Sequence, residues 1–109
     1  MSVTPTITFD SGETQILPFT VERDNEVFDL TDSEIGWALR QDGQEYVSLS
    51  DEGVEIYSRD DSTGEFEVKL DADVTERLPS QTYEEVIKIT DPGGDTSIDI
   101  GRVRIREVK

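Results

Sequence analysis

The sequence predicts an all-β domain, a sandwich of two antiparallel sheets with about seven to nine strands. Val, Ile and Thr number 30 whereas Ala numbers two, and β-branched side chains favour strands over helices. Short alternating runs are separated by turn residues at a spacing typical of sandwiches. Residues 64–94 then combine a strand, an acidic helical turn, a Leu-Pro-x-x-x-Tyr corner and another strand, an order in which a chain passes between sheets.

The first half of the chain contains five predicted strands. Alternating apolar residues place them at residues 3–9, 14–21, 27–30, 35–40 and 46–50. Pro5 marks the first as an edge strand because proline donates no backbone hydrogen bond, and Pro18 interrupts the second. The Asp42-Gly43 pair predicts a tight hairpin between the last two of these strands.

The second half predicts four more strands and one turn of helix. The strands lie at residues 54–58, 65–70, 83–90 and 96–108, and a turn at residues 91–95 joins the last two. Residues 71–77 carry acidic side chains where the positive end of a helix dipole would lie, so we expect a helical turn there. No repeat or linker interrupts the pattern, which predicts a single domain over residues 1–109.

The charge of the chain is strongly negative. Asp and Glu total 26 against 10 Lys and Arg, a formal net charge of −16. Like charge at this density opposes association in dilute buffer, but the Debye length falls to about 3 Å in 1 M salt. Because the acids are spread along the chain, we interpret them as adaptation to concentrated salt. The alternative is an acidic interaction surface or a nucleic-acid mimic.

Composition also argues against several kinds of chemistry. The chain has no Cys and no His, so it lacks the usual zinc ligands, a thiolate nucleophile and the commonest general base. Neither a secretory signal nor a long apolar segment is present in the sequence. Nucleic-acid binding requires clustered cations. We therefore expect a non-enzymatic cytoplasmic protein without cofactor, metal, nucleic-acid, membrane or small-molecule partner.

Three residues are assigned to the structural core: Trp37, Pro79 and Tyr83. Trp37 is in phase with Ile35 and Leu39, so we expect its ring between the sheets and not on a sugar-binding surface. Tyr83 follows Leu-Pro at the spacing of a tyrosine corner, whose hydroxyl bonds to nearby backbone. A catalytic tyrosine would need a base or cofactor, and none is evident.

Glu84 and Glu85 interrupt the pattern directly after the corner. Glu85 is in phase with Tyr83, Ile87 and Ile89, so simple alternation points its carboxyl inward. A lone buried carboxylate is costly. We expect a β-bulge that turns Glu85 outward, with a paired Arg as the alternative. Both glutamates are candidates for a subunit interface.

Arg102, Arg104 and Arg106 alternate along the last strand and share one face. They pair with acids of a neighbouring strand, or they form a basic stripe that docks an acidic surface of an identical or different subunit. The planar fork of Arg grips carboxylates bidentately, which suits the second role.

Two acidic groups invite a calcium interpretation, since hard cations prefer clustered oxygens. They are Asp60-Asp61 and the Asp71-x-Asp73-x-Thr75 run. The second lacks the glycine and the final glutamate of a calcium-binding loop, because Thr82 stands at the twelfth position. No metal site is therefore assigned.

Five short motifs occur in a characteristic order: residues 9–12 (FDSG), 27–31 (VFDLT), 35–37 (IGW), 63–66 (TGEF) and 78–83 (LPSQTY). This order resembles that of small immunoglobulin-like virion proteins of tailed viruses and covers nearly the whole chain. The sequence departs from them at Glu84-Glu85, where similar proteins often have aromatic residues. The acidic composition is similar to that of haloarchaeal proteins.

The resemblance implies an immunoglobulin-like fold and a structural role in the virion of a haloarchaeal tailed virus. Related proteins belong to tails, baseplates or heads, so other virion proteins and copies of the chain itself are the implied partners. The implied location is the virion, and the host cytoplasm during assembly. Two alternatives stay open. One is a cellular sugar- or protein-binding sandwich, which exposure of Trp37 and Tyr57 on one patch would favour; the other is a small enzyme with convergent carboxylates.

Overall fold

A computed structural model describes residues 2–3 and 8–106, apart from the side chains of Ser2 and Arg106. One short α-helix, α1 (Ala72–Arg77), and one 3-10 turn (Asp61–Thr63) accompany the strands. The strands, in chain order, are β1 (Ser2–Val3), β2 (Thr8–Asp10), β3 (Gln15–Arg23), β4 (Glu26–Val27), β5 (Glu34–Gln41), β6 (Gln44–Ser48), β7 (Val54–Asp60), β8 (Glu65–Leu70), β9 (Thr82–Thr90) and β10 (Thr96–Arg106).

The strands form two five-stranded sheets packed as a sandwich. Sheet 1 has the order β1-β3-β8-β7, with β4 paired to β3, and sheet 2 has the order β2-β10-β9-β5-β6. The predicted all-β sandwich is confirmed. One pairing departs from the antiparallel pattern, because β2 runs parallel to β10.

The two ends of the predicted first strand, residues 3–9, pair in different sheets. Val3 pairs with Val21 in sheet 1, whereas Thr8 pairs with Arg104 in sheet 2. The chain therefore changes sheets between β1 and β2. Residues 4–7, which include Pro5, lie outside the described part, as do residues 107–109 at the end of the predicted last strand.

The hydrophobic core lies between the sheets and follows the alternation of each strand. Phe66, Val68 and Leu70 of β8 are all buried, as expected from their shared face. The rings of Phe19 and Phe66 stack with centroids 5.0 Å apart. Aromatic and branched side chains of both sheets thus fill one continuous apolar layer.

The helix α1 closes one end of the sandwich. Its Val74 is buried in the core. The Thr75 hydroxyl donates to the carbonyls of Glu13, at 2.8 Å, and Ala72, at 3.0 Å. This contact ties the helix to the β2–β3 turn. No helix in the described residues is long and apolar enough to cross a bilayer.

Candidate interaction surface and buried polar pair

Glu85 lies fully buried inside the sandwich, and the predicted bulge is wrong. Strand β9 keeps an unbroken register from Thr82 to Thr90 against β10, and from Glu84 to Thr90 against β5. Regular alternation therefore carries the Glu85 side chain inward, where its exposure is 0%. The pairing around Glu85 contains no β-bulge that would point this side chain toward solvent.

The indole of Trp37 supplies a hydrogen bond for this buried carboxyl group. Trp37 Nε1 donates to Glu85 Oε2 at 2.9 Å, and the indole is itself 2% exposed. The two residues are diagonal neighbours, since Trp37 lies opposite Ile87 and Glu85 lies opposite Leu39. A buried polar group is costly when unpaired. The hydrogen bond from the Trp37 indole was not predicted from the sequence.

The burial of Glu85 removes it from the predicted subunit interface. A side chain with no exposed surface cannot contact a partner directly. Glu84, by contrast, points to solvent, and its Oε2 accepts from Arg40 Nε at 3.0 Å. Both side chains are over two-fifths exposed, so this ion pair contributes little stability.

Tyr83 forms the corner between α1 and β9. Its side chain is buried, and its hydroxyl donates to the Pro79 carbonyl at 2.7 Å. Burial raises the pKa of Tyr83 above its ordinary value of 10.0, because the phenolate loses solvation. Pro79 itself is exposed, so its assignment to the core is wrong. The backbone carbonyl of Pro79 accepts the hydrogen bond from Tyr83, and this role does not require the proline ring to be buried.

The outward-facing side of sheet 2 carries aligned rows of side chains, and we call it the outer face. Its central rows are Gly36, Lys88 and Ile98, then Ala38, Val86 and Ile100, on β5, β9 and β10 respectively. The next row is Arg40, Glu84 and Arg102. Glu34 lies at one end of this face, Glu45 beside Arg40, and Arg104 at the opposite end.

Two isoleucines give the outer face an apolar centre. Ile98 is 59% exposed and Ile100 is 52% exposed. Across the sheet, the small residues Gly36 and Ala38 help to line a shallow depression of about 340 Å³ together with Val86. Exposed branched side chains beside such a depression are typical of surfaces that contact another protein.

The arginines predicted to form a stripe lie at one end of this face. Arg102 and Arg104 are exposed, and neither forms an ion pair with another described residue. Arg102 stands opposite Glu84, whose carboxylate is bonded to Arg40. The backbone of Arg106 continues the strand opposite Asp10, and its side chain lies outside the described part.

The outer face differs in charge from the rest of the molecule. Its cationic side chains are at least as numerous as its anionic ones, although the chain carries −16 overall. The cationic residues are Arg40, Lys88, Arg102 and Arg104, and the anionic ones are Asp10, Glu34, Glu45 and Glu84. The general repulsion between copies is therefore weakest here.

The proposed sugar-binding patch of Trp37 and Tyr57 does not form. Trp37 is in the core, whereas Tyr57 is 54% exposed on β7 of the other sheet. The Lys69 ammonium lies 5.4 Å from the centre of the Tyr57 ring. That contact is a surface cation–π pair, and it occupies one side of the tyrosine.

The acidic groups near α1 show no metal centre or catalytic arrangement. No cluster of three or more metal-ligating side chains occurs among the described residues. The hydroxyl of Thr75 is already used as a donor to backbone. A cleft beside the helix is lined by Glu52, Asp71, Asp73 and Arg77, without a nucleophile beside a base.

Comparison with solved structures gives the fold class. The first immunoglobulin domain of ZIG-8, crystallised as a homodimer, superposes with a TM-score of 0.56 at 13% identity, over 94% of this chain and 79% of that one. Murine CRIg gives 0.53 at 10% identity, over 99% and 96%. The fold is immunoglobulin-like.

A two-domain fragment of DIP-gamma gives a TM-score of 0.56 at 14% identity, over 94% of this chain and 45% of that one. At these identities the similarity concerns the fold alone. No protein-family model matches the sequence, and no curated protein matches it.

The two exposed isoleucines, Ile98 and Ile100, were not predicted from the sequence. The alternation of side chains along β10 would have predicted their exposure. The core residues Val103 and Ile105 occupy odd positions, whereas Ile98 and Ile100 occupy even positions together with Arg102. In an unbulged strand, side chains alternate strictly, so both isoleucines must point outward when Val103 points inward.

Proposed function

We propose that this chain is a non-catalytic structural protein that acts by subunit–subunit assembly in the virion of a tailed virus with a haloarchaeal host. The observation that carries the assembly role is the outer face of sheet 2. It places Ile98 and Ile100 in solvent beside Arg102 and Arg104, neither of which forms an ion pair with another described residue.

The contact of these isoleucines with water is unfavourable, and a partner protein that covered them would remove this free-energy cost. Each exposes more than half of its surface, and apolar area returns about 25 cal/mol per Å² when it is buried. The adjacent arginines add donors for carboxylates. A surface with an apolar centre and a charged rim has the composition of a protein interface.

The net charge sets the conditions under which such an interface works. Two copies at −16 each repel one another strongly in dilute buffer. In molar salt the Debye length is about 3 Å, so distant carboxylates no longer interact and contacts within the interface dominate. Assembly in a salt-rich cytoplasm, and dissociation on dilution, follow from this balance.

Protein partners are supported by the structures that share the fold. ZIG-8 forms a homodimer through its first immunoglobulin domain, and DIP-gamma is found in a complex with Dpr11. The virion setting is supported by the ordered motifs at residues 9–12, 27–31 and 78–83 and by the acidic composition. The proposed locations are the virion and, before assembly, the host cytoplasm.

The test is to purify virus particles from an infected haloarchaeal culture in high salt and to quantify this chain by mass spectrometry. We expect a fixed ratio to the major capsid protein, and release of the chain when the salt is diluted. An abundant host cytoplasmic protein serves as the contamination control. Recovery of the chain only with that control would overturn the virion assignment in favour of a cellular module.

A further inference from the structure

We infer that the outer face of sheet 2 binds a second copy of the same chain, with the strands of the two copies running antiparallel. This inference rests on the proposed assembly function and names its partner. It is carried by the order of charges along β5 together with the position of the exposed isoleucines on β10.

The face is divided evenly by one row of residues. Trp37, Ile87 and Asp99 lie directly opposite one another on β5, β9 and β10. On β5, Glu34 and Arg40 stand three residues to either side of this row, and both lie on the outer face. At about 3.3 Å per residue they are about 10 Å from it, in opposite directions.

A two-fold axis that crosses the strands at this row makes the face complementary to itself. Such an axis reverses strand direction, so Arg40 of each copy lies opposite Glu34 of the other. Ile98 of one copy then lies opposite Ile100 of the other. Arg104 reaches toward the acidic turn that precedes Thr96, where Asp95 is exposed.

The alternative two-fold axis, parallel to the strands, is disfavoured by charge. It would place β5 of one copy against β10 of the other at the same level. Arg40 would then lie opposite Arg102, because both are in the row of Glu84. Like charges across an interface oppose association, so electrostatics selects the axis that crosses the strands.

The apolar centre supplies the attraction, and the charges set the orientation. Ile98 and Ile100 are more exposed than Ile16, which lies at 42% on the outer face of sheet 1. Central apolar residues carry most of the energy of an interface, whereas charges at its rim contribute specificity. Ion pairs enclosed by the contact are screened less than exposed ones.

The first experiment measures the dimer dissociation constant by sedimentation velocity at about 1 M KCl, where general repulsion is screened. We expect Ile100→Asp to raise the constant at least about tenfold, because a charge replaces the apolar centre. Ile16→Asp is the matched control on the other sheet and is expected to leave it unchanged. An equal effect of both variants, or a wild-type protein that stays monomeric, overturns the inference.

The second experiment tests the orientation with Glu34→Arg and Arg40→Glu. Alone, each variant places like charges together twice per dimer, and we expect about tenfold weaker association. Mixed, the two variants place opposite charges together at both contacts, so the heterodimer should regain wild-type affinity within about threefold. Circular dichroism checks that each variant is folded. A mixture no tighter than either variant alone overturns the antiparallel arrangement.

These outcomes are separable from the proposed function. A chain that is monomeric in solution yet present at a fixed ratio in purified particles refutes self-pairing and leaves the virion role intact. A chain that dimerises as described but is absent from particles refutes the virion role and leaves self-pairing intact.

Discussion

The buried hydrogen bond between Trp37 and Glu85 should couple the two residues energetically. We expect this in a double-mutant cycle of Trp37→Phe and Glu85→Leu. The donor and acceptor are 2.9 Å apart and at most 2% exposed. A hydrogen bond contributes about 0.5–1.5 kcal/mol to stability. The coupling energy should fall in that range.

Each single variant should cost stability for a different reason. Glu85→Leu leaves the indole N–H without this acceptor, a penalty of about 1–3 kcal/mol. Trp37→Phe removes the donor and leaves space in the core, so about 3 kcal/mol is expected. At about 4–8 °C per kcal/mol, either change should be visible as a lower Tm. The double-mutant cycle cancels the stability losses that arise from each substitution by itself and leaves the interaction energy between the two residues.

The assay is urea unfolding in fixed, concentrated KCl, followed by far-UV circular dichroism. Tryptophan fluorescence is unsuitable because Trp37 is the single tryptophan and two of the four proteins lack it. Unchanged m-values would show that the unfolding remains comparable. Glu85→Gln is the control; it keeps an acceptor of the same shape and should lie within about 1 kcal/mol of wild type. A coupling energy below about 0.5 kcal/mol would refute the reasoning.

Two further sites give measurable predictions. Tyr83→Phe removes the hydroxyl that donates to the Pro79 carbonyl, so we expect a loss of about 1 kcal/mol and a Tm lower by about 4–8 °C; an unchanged Tm would exclude a stabilising corner. Because burial raises the pKa of Tyr83 above 10.0, the unfolded chain loses this proton first. Stability from this group is therefore present below pH 10.0 and declines as the pH rises toward the folded-state pKa. Urea titrations above neutral pH should show a steeper decline for wild type than for Tyr83→Phe, and parallel curves would contradict it. Arg59 Nη2 donates to the carbonyls of Leu30 and Ser33, each at 2.7 Å, while its Nε donates to the Asp61 carboxylate, and the single nitrogen of lysine cannot occupy both positions. Arg59→Lys should cost about 1–2 kcal/mol in the same unfolding assay, while the exposed control Arg23→Lys should cost nothing measurable.

Local patterns predicted the fold well because its signals are local. The alternation in β8 and the Asp42-Gly43 hairpin each depend on a few neighbouring residues, and both occur as expected. Asp42 and Gly43 have φ of 52° and 78°, the left-handed conformations that such a turn requires. The different sheet membership of β1 and β2 was not predicted because it depends on pairing with β3 and β10, which are distant in sequence.

The candidate site was predicted less completely, and Glu85 shows why. The pattern placed its side chain inward, and general energetics argued for a bulge to avoid a lone buried carboxylate. One partner of this buried carboxyl group is the indole of Trp37, 48 residues earlier in the chain. A local pattern cannot show that two such residues become diagonal neighbours on β5 and β9. The arginines at 102 and 104 were located correctly on one face, but their isoleucine neighbours were not recognised.

The parallel pairing of β2 with β10 has a mechanical consequence. Tension between the N-terminal end of β2 and the C-terminal end of β10 pulls two parallel neighbours past one another. Their hydrogen bonds are then loaded together in shear and are not opened one by one. A separate bond, from Val3 N to the Asp99 carboxylate at 2.7 Å, joins β1 to β10. Force applied in this direction would thus have to shear β2 from β10 in one step.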